Sequence, residues 1–80
     1  MATIGGAYFT KVYEDEFVVR YGFSDEPPDV RRTLTVSKAD NRITPDDGNV
    51  DREFRAAAMG VNRDLRRTGE FPQSGQWVSH

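Results

Sequence analysis

The chain has 80 residues, no cysteine and a formal net charge of −2. This length predicts one small domain, and the lack of cysteine excludes disulfides and thiolate metal sites. No apolar run approaches the ~18–20 residues of a membrane span, and the first residues lack a signal peptide's basic and apolar regions. We therefore expect a cytoplasmic protein. A single core of this size supplies only ~3–5 kcal/mol of stability, so a homodimer is one expected state and a modestly stable monomer is the other.

The first half of the chain has the composition of β-strands. Residues 8–13 and 16–23 are rich in aromatic residues and valine, and they flank the acidic corner Glu14-Asp15, which predicts a tight hairpin. A third run, residues 30–37, alternates between apolar and polar positions. We predict an antiparallel meander over residues 7–37, with strand order 1-2-3, after a flexible N-terminus at residues 1–6.

The second half begins with a polar loop at residues 38–49, where Ile43 contacts the core. One helix follows at residues 50–67, with Asn49 as its N-cap and Gly69 just after its end. A glycine inside this helix, Gly60, predicts close approach by another element. The fold is therefore predicted to be α+β, a three-stranded antiparallel meander packed against one amphipathic helix and followed by an aromatic-bearing tail.

The predicted core comes from the apolar faces of these elements. It consists of Phe17, Val19, Tyr21, Phe23, Val30, Leu34, Val36, Phe54, Ala57, Ala58, Val61 and Leu65. Val50 lies on the same helical stripe. The outer strands of the meander are left as edges, which either the tail or another chain can pair.

The opposite face of the helix carries most of the positive charge. At about 100° per residue, five arginines gather there, with Met59 and Ala56 between them: Arg52, Arg55, Arg63, Arg66 and Arg67. The tail, residues 70–80, contains Phe71 and Trp77. These two aromatic residues either fold back to complete the core or form an exposed anchor for a partner.

The residues required for catalysis are scarce. The single histidine is His80, and without a placed histidine or any cysteine the common nucleophile–base pairs cannot be assembled. Asp46 and Asp47 lie in a predicted turn, and their spacing to later residues does not fit a calcium-binding EF-hand loop. We predict that the protein is not an enzyme and has no cofactor and no metal.

Three interpretations of the arginine face remain: a solvated surface, a protein-binding surface with Met59 at its centre, or a surface that follows nucleic-acid phosphates. We predict a small non-catalytic interaction protein that binds another protein or protein complex, plausible as an inhibitor or adaptor of the type that phages and mobile elements encode. The predicted partner-binding residues are Arg52, Arg55, Met59, Arg63, Arg66, Arg67 and Trp77. The alternative is a nucleic-acid-binding module that uses either this helix face or the exposed sheet face, where Arg20, Arg31, Thr33, Thr35 and Ser37 lie.

Overall fold

In the part of the chain that the structure describes, a five-stranded antiparallel sheet carries one helix on a single face. The computed structural model of the chain describes residues 6–24 and 32–78. Its elements in chain order are β1 (Gly6–Glu14), β2 (Val18–Ser24), β3 (Arg32–Ser37), β4 (Ile43–Pro45), α1 (Arg52–Thr68) and β5 (Ser74–Val78). The strand order is β4-β3-β2-β1-β5. The α+β prediction is confirmed, and the three predicted strands form the centre of the sheet in the predicted order.

The predicted loop and tail each contribute one more strand than the sequence pattern indicates. Within residues 38–49, β4 pairs with β3, and Ile43 packs against the core as expected. Within residues 70–80, β5 pairs with β1. The reason is that each end of a three-stranded meander leaves unpaired backbone groups, and these short segments satisfy them. The predicted flexible N-terminus lies outside the described residues except for Gly6, which begins β1.

Most of the predicted core residues are buried between the sheet and α1. The largest fully buried side chains are Tyr21, Phe23, Leu34, Val19, Val36 and Val61. Ala7, Phe9 and Ala56 are also buried, although they were not expected in the core. Ala58 and Leu65 are half-buried, and Val30 lies outside the described residues.

Among the predicted core residues that the structure describes, Phe17 is the exposed one, with 69% of its area accessible. It precedes β2 and lies in the hairpin turn, where the Asp15 carboxylate accepts hydrogen bonds from the backbone N–H groups of Phe17 and Val18. The strand therefore starts at Val18, two residues later than the sequence pattern predicts. The hairpin itself is confirmed.

The helix begins and ends close to its predicted bounds, but a different residue caps it. Asp51, not Asn49, is the N-cap, and its carboxylate accepts from the backbone N–H of Phe54. Asn49 instead donates its side-chain amide to Asp51. Val50 precedes the helix and is exposed, so it does not extend the apolar stripe. At the other end, Gly69 adopts a left-handed φ of 79°, as expected for a glycine that ends a helix.

Arg32 connects β3 to the start of the helix. Its guanidinium donates to the carboxylates of Asp47, Asp51 and Glu53 at 2.8–3.0 Å, and it lies 4.8 Å from the centre of the Phe23 ring. Hydrogen bonds from Arg32 hold the pKa of Asp47 and Asp51 below the ordinary value. Because Arg32 itself is only 16% exposed, this network fixes the position of the N-terminus of α1 on the sheet.

The helix lies close to β1 and β5 where two glycines face one aromatic ring. A β-carbon added at Gly60 would lie 2.6 Å from Cε2 of Phe9, and one added at Gly75 would lie 2.6 Å from Cζ of Phe9. The Phe9 ring therefore fills the space between α1 and β5. The close approach predicted from Gly60 is confirmed, and it places the arginine face of α1 beside β5.

Candidate interaction surface

All seven predicted partner-binding residues lie around two adjoining grooves between α1 and β5. The first groove is lined by Val50, Asp51, Arg52, Arg55, Ala56, Met59 and Trp77. The second is lined by Met59, Asn62, Arg63, Arg66, Arg67 and Trp77. Met59 and Trp77 belong to both grooves and form the ridge between them. We call these two grooves and their ridge the α1/β5 surface.

Trp77 combines the two roles that the sequence left open for the tail. On β5 it lies opposite Ala7 of β1, and it packs against the hydrophobic core together with Phe71. The residue is nevertheless only half-buried and lines both grooves. The tail therefore completes the core and also leaves an aromatic side chain at the surface.

Arg63 is held in place over Trp77. Its guanidinium carbon lies 5.4 Å from the centre of the Trp77 ring, a distance suited to a cation–π contact. The same side chain donates to the Gln76 carbonyl at 3.0 Å and to the Asp64 carboxylate at 2.9 Å. These contacts order both Arg63 and the ridge beneath it.

Three guanidinium groups of this surface are free among the residues that the structure describes. Arg52, Arg55 and Arg66 are exposed and make no ion pair or side-chain hydrogen bond within residues 6–24 and 32–78. In contrast, Arg63 and Arg67 share the carboxylate of Asp64, at 2.9 and 3.4 Å, and that side chain is only 9% exposed. The surface therefore carries a net positive charge around an apolar ridge.

Ala56 does not lie on the exposed arginine face where the helical pattern placed it. Only 5% of its area is exposed, because β5 extends the sheet beyond β1 and Trp77 reaches this side of the helix. Met59 does lie on the exposed face, with 52% of its area exposed. The apolar centre of the predicted surface is thus formed by Met59 and Trp77.

The alternative nucleic-acid face has an internal carboxylate at its centre. Asp46, which follows β4, accepts hydrogen bonds from the hydroxyls of Thr33 and Thr35 at 2.6 Å and from the guanidinium of Arg20 at 2.7 Å. Burial acts to raise the pKa of the Asp46 carboxyl, but these three donors outweigh it and hold that pKa below its ordinary value. Arg31 lies outside the described residues.

Asp46 therefore engages Arg20, Thr33 and Thr35, which are three of the residues predicted for this face. The sequence pattern predicts a turn at Asp46 and does not indicate the pairing of β4 with β3, so these contacts could not be predicted. That pairing brings the carboxylate over Thr33 and Thr35, and the backbone N–H of Asp46 donates to the carbonyl of Thr33 at 3.0 Å.

Other acidic side chains in the described ranges serve as structural partners. Glu14 binds Lys11 and Lys38, and Asp47 binds Arg32. Within residues 6–24 and 32–78, no group of three or more histidine, cysteine, aspartate or glutamate side chains is placed to hold a metal ion. His80 lies outside the described residues.

Comparison of the chain with protein families, with curated protein sequences and with solved structures found no match in any of the three. The helix that the structure describes is too short and too polar to cross a membrane.

Proposed function

We propose that this chain is a non-catalytic interaction protein that binds an acidic surface of another protein through the α1/β5 surface. The observation that carries the proposal is the position of Met59 and Trp77 on one ridge, surrounded by three guanidinium groups that have no partner among the described residues. Arginine, tryptophan and methionine are enriched at protein interfaces, and truncation of a central aromatic residue typically has the largest effect on affinity. The unpaired arginines favour a partner that supplies carboxylates.

An inhibitor or adaptor is the type of interaction protein that we favour. The chain is small, with 80 residues and no cysteine, and its described acidic clusters are engaged with basic side chains or backbone amides. Such a protein acts by occupying a surface of its partner, as do the compact inhibitors that phages and mobile elements encode. This proposal requires no cofactor.

Affinity capture from the cells that make the protein tests the proposal. The tagged chain is compared with Met59→Ala, which removes the exposed half of the ridge without changing charge, and with Val12→Ala, a control at an equally exposed apolar residue outside the grooves. Captures are made with and without nuclease. We expect one protein to be recovered after nuclease treatment in stoichiometric amount by the wild type and by Val12→Ala, and to be strongly reduced with Met59→Ala. Equal recovery with all three would refute the proposal.

Binding of nucleic acid is the second candidate, and the spacing of the free arginines favours it. Arg52 and Arg66 are separated by about 21 Å along α1, at 1.5 Å per residue, so the helix can contact several phosphates in succession. Affinity for nucleic acid would fall steeply with salt concentration. Partners that disappear after nuclease treatment, together with such a salt dependence, would favour this candidate over the acidic protein.

A further inference from the structure

β5 is the last strand on its side of the described sheet, and its backbone pairing leaves one set of polar groups pointing outward. The N–H of Lys11 donates to the carbonyl of Gln73 at 2.7 Å, and the register continues with Phe9 opposite Gly75 and Ala7 opposite Trp77. Hydrogen-bonded and non-hydrogen-bonded pairs alternate in an antiparallel ladder. Residues 73, 75 and 77 therefore bond to β1, whereas the backbone groups of Ser74 and Gln76 face away from the sheet.

Arg63 provides an independent indication of this orientation. Its guanidinium reaches over Trp77 and donates to the carbonyl of Gln76 at 3.0 Å, which requires that this carbonyl points away from β1. A carbonyl oxygen has two lone pairs, so the Gln76 carbonyl can accept a second hydrogen bond from another chain. The amide N–H groups of Ser74 and Gln76 have no partner within residues 6–24 and 32–78.

We propose that the partner engages this edge with an extended acidic segment, which adds to β5 as a further strand of the sheet. Backbone hydrogen bonds to Ser74 and Gln76 supply part of the affinity, and alternate side chains supply the specificity. The inference deepens the proposed function and rests on it, because it names the form in which the acidic partner presents its carboxylates.

The position of Trp77 defines the chemistry of that segment. Trp77 and the grooves lie on the helix side of the sheet, so every second side chain of an added strand faces the ridge. The residue beside Trp77 meets the apolar surface of the ring and of Met59. Residues two positions before and after it come near the guanidinium groups of the grooves. An apolar residue flanked at i−2 and i+2 by carboxylates therefore fits this surface.

Charge argues against a second copy of the chain as the added strand. Two identical β5 strands that pair antiparallel are related by a two-fold axis perpendicular to the sheet, so both helices lie on the same face. The arginines of the two α1/β5 surfaces would then face one another across the axis. Like charges placed together in this way disfavour the homodimer, whereas a carboxylate-bearing segment neutralises them.

Synthetic peptides test the inference on the full chain. The probe is a capped seven-residue peptide with leucine at its central position, glutamate two positions before and after the leucine, and threonine at the four other positions. A second peptide carries lysine in place of both glutamates, and a third has N-methyl groups on alternate backbone amides. Binding is followed by the fluorescence of Trp77, the single tryptophan of the chain, and by amide hydrogen exchange at Ser74 and Gln76.

We expect saturable binding of the acidic peptide, slowed exchange at Ser74 and Gln76, and an affinity lower by about tenfold or more for both modified peptides. The variant Gln76→Pro removes one outward N–H group and leaves the hydrogen bonds to β1 in place, since proline is tolerated at sheet edges. It should weaken binding of the acidic peptide by a comparable factor. Gln76→Thr, which keeps that N–H, is its matched control. The N-methylated peptide keeps the test independent of whether the proline variant folds.

Each contrary result identifies which claim fails. If N-methylation and Gln76→Pro have no effect while Arg66→Glu weakens binding, strand addition is wrong and the acidic-partner surface remains. If N-methylation of the peptide weakens binding, but neither Arg66→Glu nor the replacement of glutamate by lysine in the peptide does, the proposed function fails. Absence of binding by the acidic peptide would overturn strand addition. A homodimer of the chain that is lost with Gln76→Pro would assign the edge to a second copy instead.

Discussion

Arg63 on α1 and Trp77 on β5 form one unit, in which the guanidinium carbon lies 5.4 Å from the centre of the indole ring. The helix and the last strand are thereby connected at the surface as well as through the core. Because Arg63 also binds the backbone carbonyl of Gln76, the arginine face, the aromatic ridge and the open sheet edge are parts of a single surface.

Gly60→Ala should destabilise the protein even though alanine is the better helix former. The new methyl group would lie 2.6 Å from the Phe9 ring and 3.3 Å from Cβ of Trp77. Overpacking of this kind costs about 1–3 kcal/mol, against a helical gain of about 0.5–1 kcal/mol. Urea unfolding should show a lower free energy of unfolding for Gly60→Ala. The exposed control Asn62→Ala should be unchanged or slightly more stable, and a stabilised Gly60→Ala would contradict the close packing of α1 on β1.

Arg32→Met should reduce the free energy of unfolding at pH 7 by about 1–2 kcal/mol, because it leaves neighbouring carboxylates without their cation. Arg42→Met, at an exposed loop position, is the control and should have little effect.

The same variant should change the response of stability to acid. The pKa values of Asp47 and Asp51 are lowered in the folded state by hydrogen bonds from Arg32. The stability that they contribute is therefore fully present above the unfolded pKa of about 3.9 and is lost as the pH falls through the folded values. From pH 7 down to pH 2, the free energy of unfolding should fall less in Arg32→Met than in the wild type. Identical profiles would mean that Arg32 does not set these pKa values.

Tyr21→Phe should lower the free energy of unfolding by about 1 kcal/mol, since the Tyr21 hydroxyl donates to the Pro72 carbonyl at 2.6 Å. Burial raises the pKa of Tyr21, with further contributions from Glu14 and Asp64. Its contribution to stability is thus complete below the unfolded pKa of about 10 and is lost as the pH rises above it. Between pH 8 and pH 11, the stability measured by thermal unfolding should fall less in Tyr21→Phe than in the exposed control Tyr8→Phe.

Asp46→Asn should increase the affinity of the chain for polyanions. The substitution weakens the contact that holds Arg20, and it removes a carboxylate that would repel phosphate. Asp40→Asn, in an exposed turn, changes the net charge by the same amount. On a heparin column, Asp46→Asn should elute at higher salt than Asp40→Asn. If the two elute together, the change reflects net charge alone and Asp46 does not shield the sheet face.

The helix and its arginine face could be predicted because both depend on local periodicity. The hairpin and the order of the central strands were also predictable from their composition. β4 and β5 were not predicted as they stand, because they are short and contain Pro45 and Gly75, residues that are depleted in strands. Their formation depends on pairing with the edges of β3 and β1, which is a long-range property.

The errors within predicted elements have the same origin. Asn49 and Asp51 are both suitable N-caps by residue type, and the choice of Asp51 goes with its contact to Arg32, which is distant in sequence. Ala56 fits the exposed helical face by angle alone, yet β5 covers it. The engagement of Asp46 by Thr33 and Thr35 likewise depends on β4. The sequence pattern thus predicted seven residues that line the α1/β5 surface, whereas the pairing of the sheet determines which helical residues are buried.

The most direct test of the α1/β5 surface is the dissociation constant of the captured partner for matched charge reversals. Arg55→Glu and Arg66→Glu alter exposed guanidinium groups of the grooves, whereas Arg42→Glu makes the same change of charge at an exposed position outside them. We expect Arg55→Glu and Arg66→Glu to raise the dissociation constant by about tenfold or more, mainly through loss of charge complementarity, and Arg42→Glu to leave it within about twofold. Equal effects of all three substitutions, or no effect of any, would show that the partner does not bind through this surface.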